Sequence, residues 1–262
     1  MVEKIQCRVD DLLRATARAE ARHFWFRGFR WFVRPLVRRA LDGTTRPRLL
    51  DCGCGTGNNL SLLAPFGNAY GLDMSETGLQ TGRRHGHRGL VRASAAAAPF
   101  ASATFDLVTS FDVLYALDEA DEQAAAAEMF RVARPGGWLI VNVAAMPVLR
   151  GDHSILSHER RRYTRESLTR LLTAAGFRIA RLTYTNATLF PLMLAVRAFQ
   201  RARGLAPEAD ATADIAVPAA PVNAALSALL WMEAAWVNAG GATAFGSSLL
   251  CLARKPEDAG RR

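Results

Sequence analysis

Residues 49–60, LLDCGCGTGNNL, set three glycines at alternate positions directly behind a short apolar run. Glycine is needed where φ turns positive, or where backbone must approach a ligand with no side chain between. The longer stretch RPRLLDCGCGTGNNLSLL therefore reads as a short buried strand, a turn at Gly53, Gly55 and Gly57, and a helix entered through Asn58 or Asn59. A dinucleotide-binding turn would carry G-x-G-x-x-G, and its third glycine would fall here on Asn58. The spacing is instead Asp51-x-Gly53-x-Gly55-x-Gly57, with an acid at the strand end. Such a loop suits a nucleoside without a pyrophosphate, which counts against a nicotinamide-dependent oxidoreductase, the competing enzyme class.

The two cysteines inside this turn raise a metal or redox reading. The chain has four, Cys7, Cys52, Cys54 and Cys251, too few and too irregular for a disulfide framework. Structural zinc takes paired ligands with a second pair downstream, whereas the other two cysteines lie at opposite ends of the chain. Cys52 and Cys54 are expected to be small fillers of a tight turn, and no metal site is expected.

Short apolar runs at 48–51, 69–72, 106–110 and 138–143 alternate with helical segments such as DEADEQAAAAEMFRVAR. That alternation implies a parallel sheet covered by helices on both faces. Ligands of such sheets lie outside the carboxyl ends of the strands, near the switch in strand order. The glycine turn and Asp73, 22 residues beyond Asp51, both fall at strand ends and are expected to face one crevice.

The glycine turn resembles motif I of the class I S-adenosylmethionine-dependent methyltransferases, and the likeness runs on. NAYGLDMS, LVRASAAAAPF, ATFDLVTSFDVLYAL and MFRVARPGGWLIVNVAA are similar to the second to fifth strand regions of the methyltransferase type 11 group, related to ubiquinone and menaquinone methylases, so that residues 48–145 are covered. The resemblance implies a Rossmann-like α/β fold with a mostly parallel seven-stranded sheet and helices on both faces. It implies S-adenosyl-L-methionine as cofactor, cradled by Asp51, Gly53, Cys54, Gly55 and Gly57, with the ribose on Asp73 next to Met74. Ser94 and Ala95 would meet the adenine, and Ser110 and Phe111 close the site from the fourth strand. Two positions depart from the pattern: Ser94 stands where relatives often carry Asp, and Ala116 where many have histidine. A cofactor-binding module without catalysis is the third class of reading.

Beyond the core, RESLTRLLTAAG and FRIARLTYT read as a helix and a sixth strand, Thr164 capping the helix with Ser167 or Glu166 and Gly176 ending it. The preceding DHSILSHERRRY is a dense polar connection after the fifth strand. Its plain reading is a solvated loop. Its functional reading makes His153 the first and His158 the second candidate for taking a proton, near-neutral titration being the property of histidine, with Tyr163 as orienter. Arginines 160–162 suit bidentate capture of a carboxylate or phosphate.

The chain ends differ from the core. ARHFWFRGFRWFVRPLV interleaves aromatics with arginines, and related methyltransferases begin with a similar helix that lids the cofactor; Trp25, Phe26 and Arg27 are expected nearest the site. Residues 187–243 read as an insertion of two apolar helices around a linker-like stretch, APEADATADIAVPAAP, before a final strand SSLLCLARK. The expected division is a lid over 1–47, the core over 48–186, a helical cap over 187–243, and the last strand and tail over 244–262. The cap is either plain packing or a greasy port for a lipid-like substrate or a membrane surface.

Charge bears on that choice. The net +9 is segregated, with +7 over residues 1–48 and +8 over 150–204 against −4 over 49–149 and −2 beyond. Such a field attracts anionic partners, including the surface of an anionic membrane; nucleic acid fits poorly, since no recognisable binding motif accompanies the charge. The expected acceptor is a small or lipid-like molecule with an anionic or hydroxyl group. The N-terminal MVEKIQCRVDDLLR lacks an apolar h-region and no run reaches the ~18 apolar residues of a membrane span, so the expected location is cytoplasmic, with contact at most peripheral to the membrane.

Overall fold

A computed structural model describes residues 19–149, 159–202 and 217–258. Seven strands form a single sheet: β1 (Arg48–Cys52), β2 (Asn68–Asp73), β3 (Leu90–Arg92), β4 (Phe105–Phe111), β5 (Ala133–Ala144), β6 (Arg178–Thr185) and β7 (Ser248–Arg254). Their order is β3-β2-β1-β4-β5-β7-β6. All neighbours are parallel except at β7, which runs antiparallel to both β5 and β6. This is the mostly parallel sheet the resemblance implies. The order reverses between β1 and β4, so the crevice opens where the glycine turn leaves β1.

Successive side chains on a strand point to opposite faces, and the sheet carries two separate cores accordingly. On one face Leu50, Cys52, Val108, Leu139 and Val141 meet α4 (Glu119–Val132) and α5 (Arg165–Ala174) through Met129, Val132, Leu168 and Leu172. On the other, Leu49, Leu107, Ile140 and Leu250 meet α1 (Phe24–Ala40), α2 (Asn58–Leu63), α3 (Glu76–Arg84) and α7 (Ala220–Asn238). Cover on both faces explains why β4 is buried at every position, including its polar Asp106, Thr109 and Ser110.

Local signals locate most boundaries. Thr164 and Ser167 form a reciprocal capping box at the start of α5, and Gly176 beyond its end has φ of 105°. Asp118 and Ser75 cap α4 and α3 by single side-chain bonds, accepting from the Asp121 and Gly78 amides. The fifth strand is longer than the apolar run 138–143 suggests. Ala133 already pairs with Phe105, and a register shift between Phe105 and Leu107 absorbs the Arg134–Gly137 stretch, which has no apolar periodicity. Between β6 and β7 the chain makes α6 (Phe190–Ala202) and α7, and the stretch joining them lies outside the described residues.

Candidate functional site

The turn after β1 is held by its neighbour strand. The amides of Gly53 and Cys54 both donate to the Leu72 carbonyl, at 2.8 and 2.9 Å. Gly53 and Gly57 have φ of 83° and 82°, and Gly57 itself caps α2 in that left-handed conformation rather than Asn58 or Asn59. A Cβ at Gly53 would stand 2.2 Å from Val113. Gly71 of β2 leaves room for the Cys54 thiol, which would lie 2.6 Å from a Cβ there. Cys52 and Cys54 are buried in the cores on opposite faces of the sheet, and burial pushes both thiols well above the usual thiol range.

Asp73, the last residue of β2, is the hinge pin of the turn. One carboxylate oxygen accepts from the Gly55 amide and the other from the Ser75 amide, each at 2.8 Å. Desolvation raises its carboxyl above the ordinary range, and these amide bonds hold the rise in check. Each oxygen retains acceptor capacity for a ligand hydroxyl. Met74 follows on the exposed rim. The Ala93 amide donates to the Asp73 carbonyl at 3.1 Å, which brings the Ser94–Ala95 turn alongside, with Ser94 Oγ accepting from the Ala96 amide at 3.1 Å.

Asp51 is wholly buried. One oxygen takes a 2.7 Å hydrogen bond from Thr109 of β4; the other has no partner among the described residues, and neither does Ser110 Oγ. Burial pushes the Asp51 carboxyl up to about 7, with Thr109 opposing and nearby Asp73 adding to the rise. Buried polar atoms are almost always paired, so the orphaned Asp51 oxygen near the end of β1 marks a place where a ligand supplies the partner; Ser110 points to the opposite face of the sheet. An unpaired carboxylate oxygen suits an ammonium group, and Asp73 suits vicinal hydroxyls. The residues fit a nucleoside bearing an amino acid.

Past β4, the crevice continues through groups the sequence reading missed. Asp112 has φ of 60° and follows the last residue of β4; its carboxylate accepts from Asn142 Nδ2 at 3.0 Å, and its amide donates to the Asn142 carbonyl at 2.9 Å. Asp112 is exposed, and the solvent on it limits the rise that desolvation gives its carboxyl against the opposing Asn142 bond. Trp25, Phe29, Asn142, Thr185, Asn186 and Ser248 line a small recess beside it. Three carboxylates, Asp51, Asp73 and Asp112, thus sit at or next to carboxyl ends of strands. That shared placement was the available signal for Asp112. The wide hollow between α4 and α5, lined by Glu122, Arg161 and Arg170, is not part of this edge.

The N-terminal helix reaches this edge through Trp25, which was expected there, and through Phe29 and Arg30, which were not. Phe29 meets Phe111 edge-on at 4.9 Å between ring centres, and Trp25 lines the recess. Arg27 is exposed with its guanidinium over Trp31; Arg30, one turn on, hydrogen-bonds the Asn58 side chain. Glu20 accepts from the Thr56 hydroxyl at 3.4 Å, and desolvation raises its carboxyl to about 7 against the opposing charge of Arg30.

Of the polar connection after β5, His153 and His158 lie outside the described residues. Tyr163 is buried away from the crevice: its hydroxyl donates to Glu122 of α4, and burial with that carboxylate pushes it far above the usual phenol range. Arg161 also pairs with Glu122, and Arg162 grips buried Glu159 at 2.8 and 3.0 Å. These two arginines tie the connection to the protein.

Residues 50–141 match the model of a methyltransferase domain. The chain is similar to the demethylmenaquinone methyltransferase of Anoxybacillus flavithermus, 36% identical over 115 residues, 40% of this chain and 47% of that protein. The chain spans about half the length of the curated relatives it matches. Among solved structures, a methyltransferase from Haloferax volcanii, in complex with the Trm112 methyltransferase activator, superposes with a TM-score of 0.59 at 18% identity, over 95% of this chain and 97% of that one. An S-adenosylmethionine-dependent methyltransferase from Mesorhizobium loti gives 0.53 at 19% identity, over 84% and 96%. Both are similar in fold.

Proposed function

We propose that this chain, which belongs through residues 50–141 to the methyltransferase domain family, transfers the methyl group of S-adenosylmethionine to a small or lipid-like acceptor carrying a hydroxyl or anionic group. The observation that carries the reading is the pairing of orphaned Asp51 with Asp73 across the glycine turn, since together they offer acceptors for an ammonium group and for a ribose. When bound, the cofactor supplies an electrophilic sulfonium methyl. Asp73 holds the ribose hydroxyls, Asp51 the amino group, the Gly53–Gly57 turn the backbone approach, and Ser94 with Ala95 the adenine edge. Ser110, Phe111 and the helix α1, acting as a lid, keep the reacting end dry, with Arg27 and Arg30 at its rim.

Displacement of a methyl group needs the acceptor held in line and water excluded, so positioning contributes much of the rate. The acceptor approaches this edge of the sheet from outside the recess between Trp25, Phe29, Asn142 and Thr185, which has room for no more than a water. His153 is the first candidate to take its proton and His158 the alternative; Tyr163, whose hydroxyl is held by Glu122, is not placed to orient either from the crevice. Asp112, exposed at the same edge and hydrogen-bonded to Asn142, is a further candidate to accept that proton. The name of the Anoxybacillus relative adds demethylmenaquinone to the panel of acceptors worth trying.

Titration calorimetry with S-adenosylmethionine and with NAD tests the cofactor: saturable binding of the first alone is expected, and binding of NAD alone would overturn the reading. Incubation of labelled cofactor with polar and lipid extracts tests the transfer. Label appearing in neither fraction, in a chain that binds the cofactor, would leave a binding module as the function.

A further inference from the structure

Helix α7 is apolar on both sides. Its inward face packs Leu230, Ala234 and Val237 into the core and also buries Ser227 and Glu233, while α6 turns Gln200 inward. The opposite face of α7 presents Val222, Leu229, Trp231, Met232 and Trp236, with Trp231 56% and Trp236 52% exposed, and no charged residue interrupts it. On α6 the outward residues include Leu192, Val196 and Phe199. A water-facing helix places its charges outside. Here the carboxylate of Glu233 is spent internally, accepting from the amides of Ala187 and Thr188, both at 2.9 Å, and from the Thr188 hydroxyl at 2.7 Å. That clamp fixes the entry to α6 against α7, so the apolar face is a built surface.

Arginines flank this face. α1 runs beside α7, tied to it by Asn223, which accepts from the Phe24 amide at 2.9 Å, and by Asn238, which donates to the Trp31 carbonyl at 3.0 Å. Arg27, Arg34 and Arg38 are exposed and share a stripe of α1 with Trp31. At the other end of α7, Arg181 donates to the Val237 and Gly241 carbonyls, next to Arg39. Aromatic and apolar side chains bordered by cations match the boundary between acyl chains and anionic headgroups. Among the described residues no helix is long and apolar enough to cross a membrane, which leaves a helix lying in the interface plane.

We propose that the outer face of α6 and α7 seats the protein on an anionic lipid bilayer, with Trp231 and Trp236 at the acyl boundary and the α1 arginines on the headgroups. This is independent of which acceptor is methylated.

The test uses the whole chain with phosphatidylcholine vesicles, with and without phosphatidylglycerol. Co-sedimentation with the anionic vesicles is expected, weakened by salt. Combined Trp231→Ser and Trp236→Ser should lower the partition at least about tenfold, because the apolar contribution is removed while the arginines remain. Arg34→Gln and Arg38→Gln should each lower it roughly fivefold. Cofactor affinity should be unchanged in all of these variants, which sets loss of docking apart from failure of the methyltransferase reading. In the unaltered protein, acyl-brominated anionic vesicles should quench tryptophan emission, a readout that needs no variant to fold. Absence of both sedimentation and quenching would overturn the proposal. So would a lipid-free dimer that the tryptophan variants convert to monomer, since the face would then belong to a second copy of the chain.

Discussion

Replacing Asp51 with Asn separates what this residue does for the fold from what it does for the ligand. Asp51 is fully buried with one unpaired oxygen, and burial raises its carboxyl from 3.8 to about 7. Below about pH 4 the group is protonated in both the folded and the unfolded chain. Between about 4 and 7 the unfolded chain gives up the proton and the folded one keeps it, so the folded state binds more protons and stability falls as pH rises. Above 7 both are ionised and the penalty is complete. At 1.36 kcal/mol per unit, a shift of about three units sets a ceiling of about 4 kcal/mol, which relaxation around the charge lowers. Asp51→Asn keeps an oxygen for the Thr109 hydroxyl and removes the ionisation. The fall in unfolding free energy between about pH 5 and about pH 8, which holds at most about 2.6 kcal/mol of that ceiling, should therefore shrink by roughly 1–2.5 kcal/mol relative to the wild type, read from urea denaturation at each pH. Asp112 and Glu20 also have raised carboxyls and remain in both proteins, so the difference isolates Asp51. The same variant should bind S-adenosylmethionine at least about tenfold more weakly, having lost a charge-assisted partner. Equal pH slopes for the two proteins would refute the buried-charge argument, and unchanged affinity would refute the ligand assignment.

Gly53→Ala should abolish cofactor binding in calorimetry, because its Cβ would meet Val113 at 2.2 Å in a left-handed backbone; full affinity would show that the turn tolerates a side chain. Asp73→Ala removes acceptors for both the Gly55 and Ser75 amides, so it should cost about 2–3 kcal/mol of stability in addition to ribose affinity, both measured on one preparation. Glu233→Ala leaves the Ala187 and Thr188 amides without their carboxylate and should lower stability by about 3 kcal/mol in urea titration while cofactor affinity holds.

The turn and its acids could be read from the sequence because they are local: an apolar run, alternate glycines, and an acid closing each of two strands lie within a few residues of one another. The capping of α5 by Thr164 and its end at Gly176 were legible for the same reason. Which arginine of α1 reaches the turn was not. Arg27 and Arg30 differ by less than one helical turn, and the phase is set by Phe32, Val33, Leu36 and Val37 packing on the sheet. Asp112, Asn142 and Thr185 come from three strands and meet only because β4, β5 and β6 end on one edge; no spacing in the chain records that. Two apolar helices were visible between β6 and β7, but a helix apolar on most sides does not declare which side is buried. Glu233 decided it by turning inward.

Thr185 ends β6 and Ser248 begins β7, and the two are paired directly across the sheet. Residues 186–247 therefore leave and return at adjacent positions, where a tight hairpin would serve the sheet equally well. Loop-closure entropy grows only with the logarithm of length, so the long route costs about 2–3 kcal/mol over a short one, a sum that packing of α7 on α1 offsets. The detour is thus a socket: one catalytic sheet can carry different inserts here, each changing what is presented at the rim of the recess without altering a strand register. On the proposed function, exchanging the insert would alter the acceptor side while leaving the turn built on β1, β2 and β4 as it is.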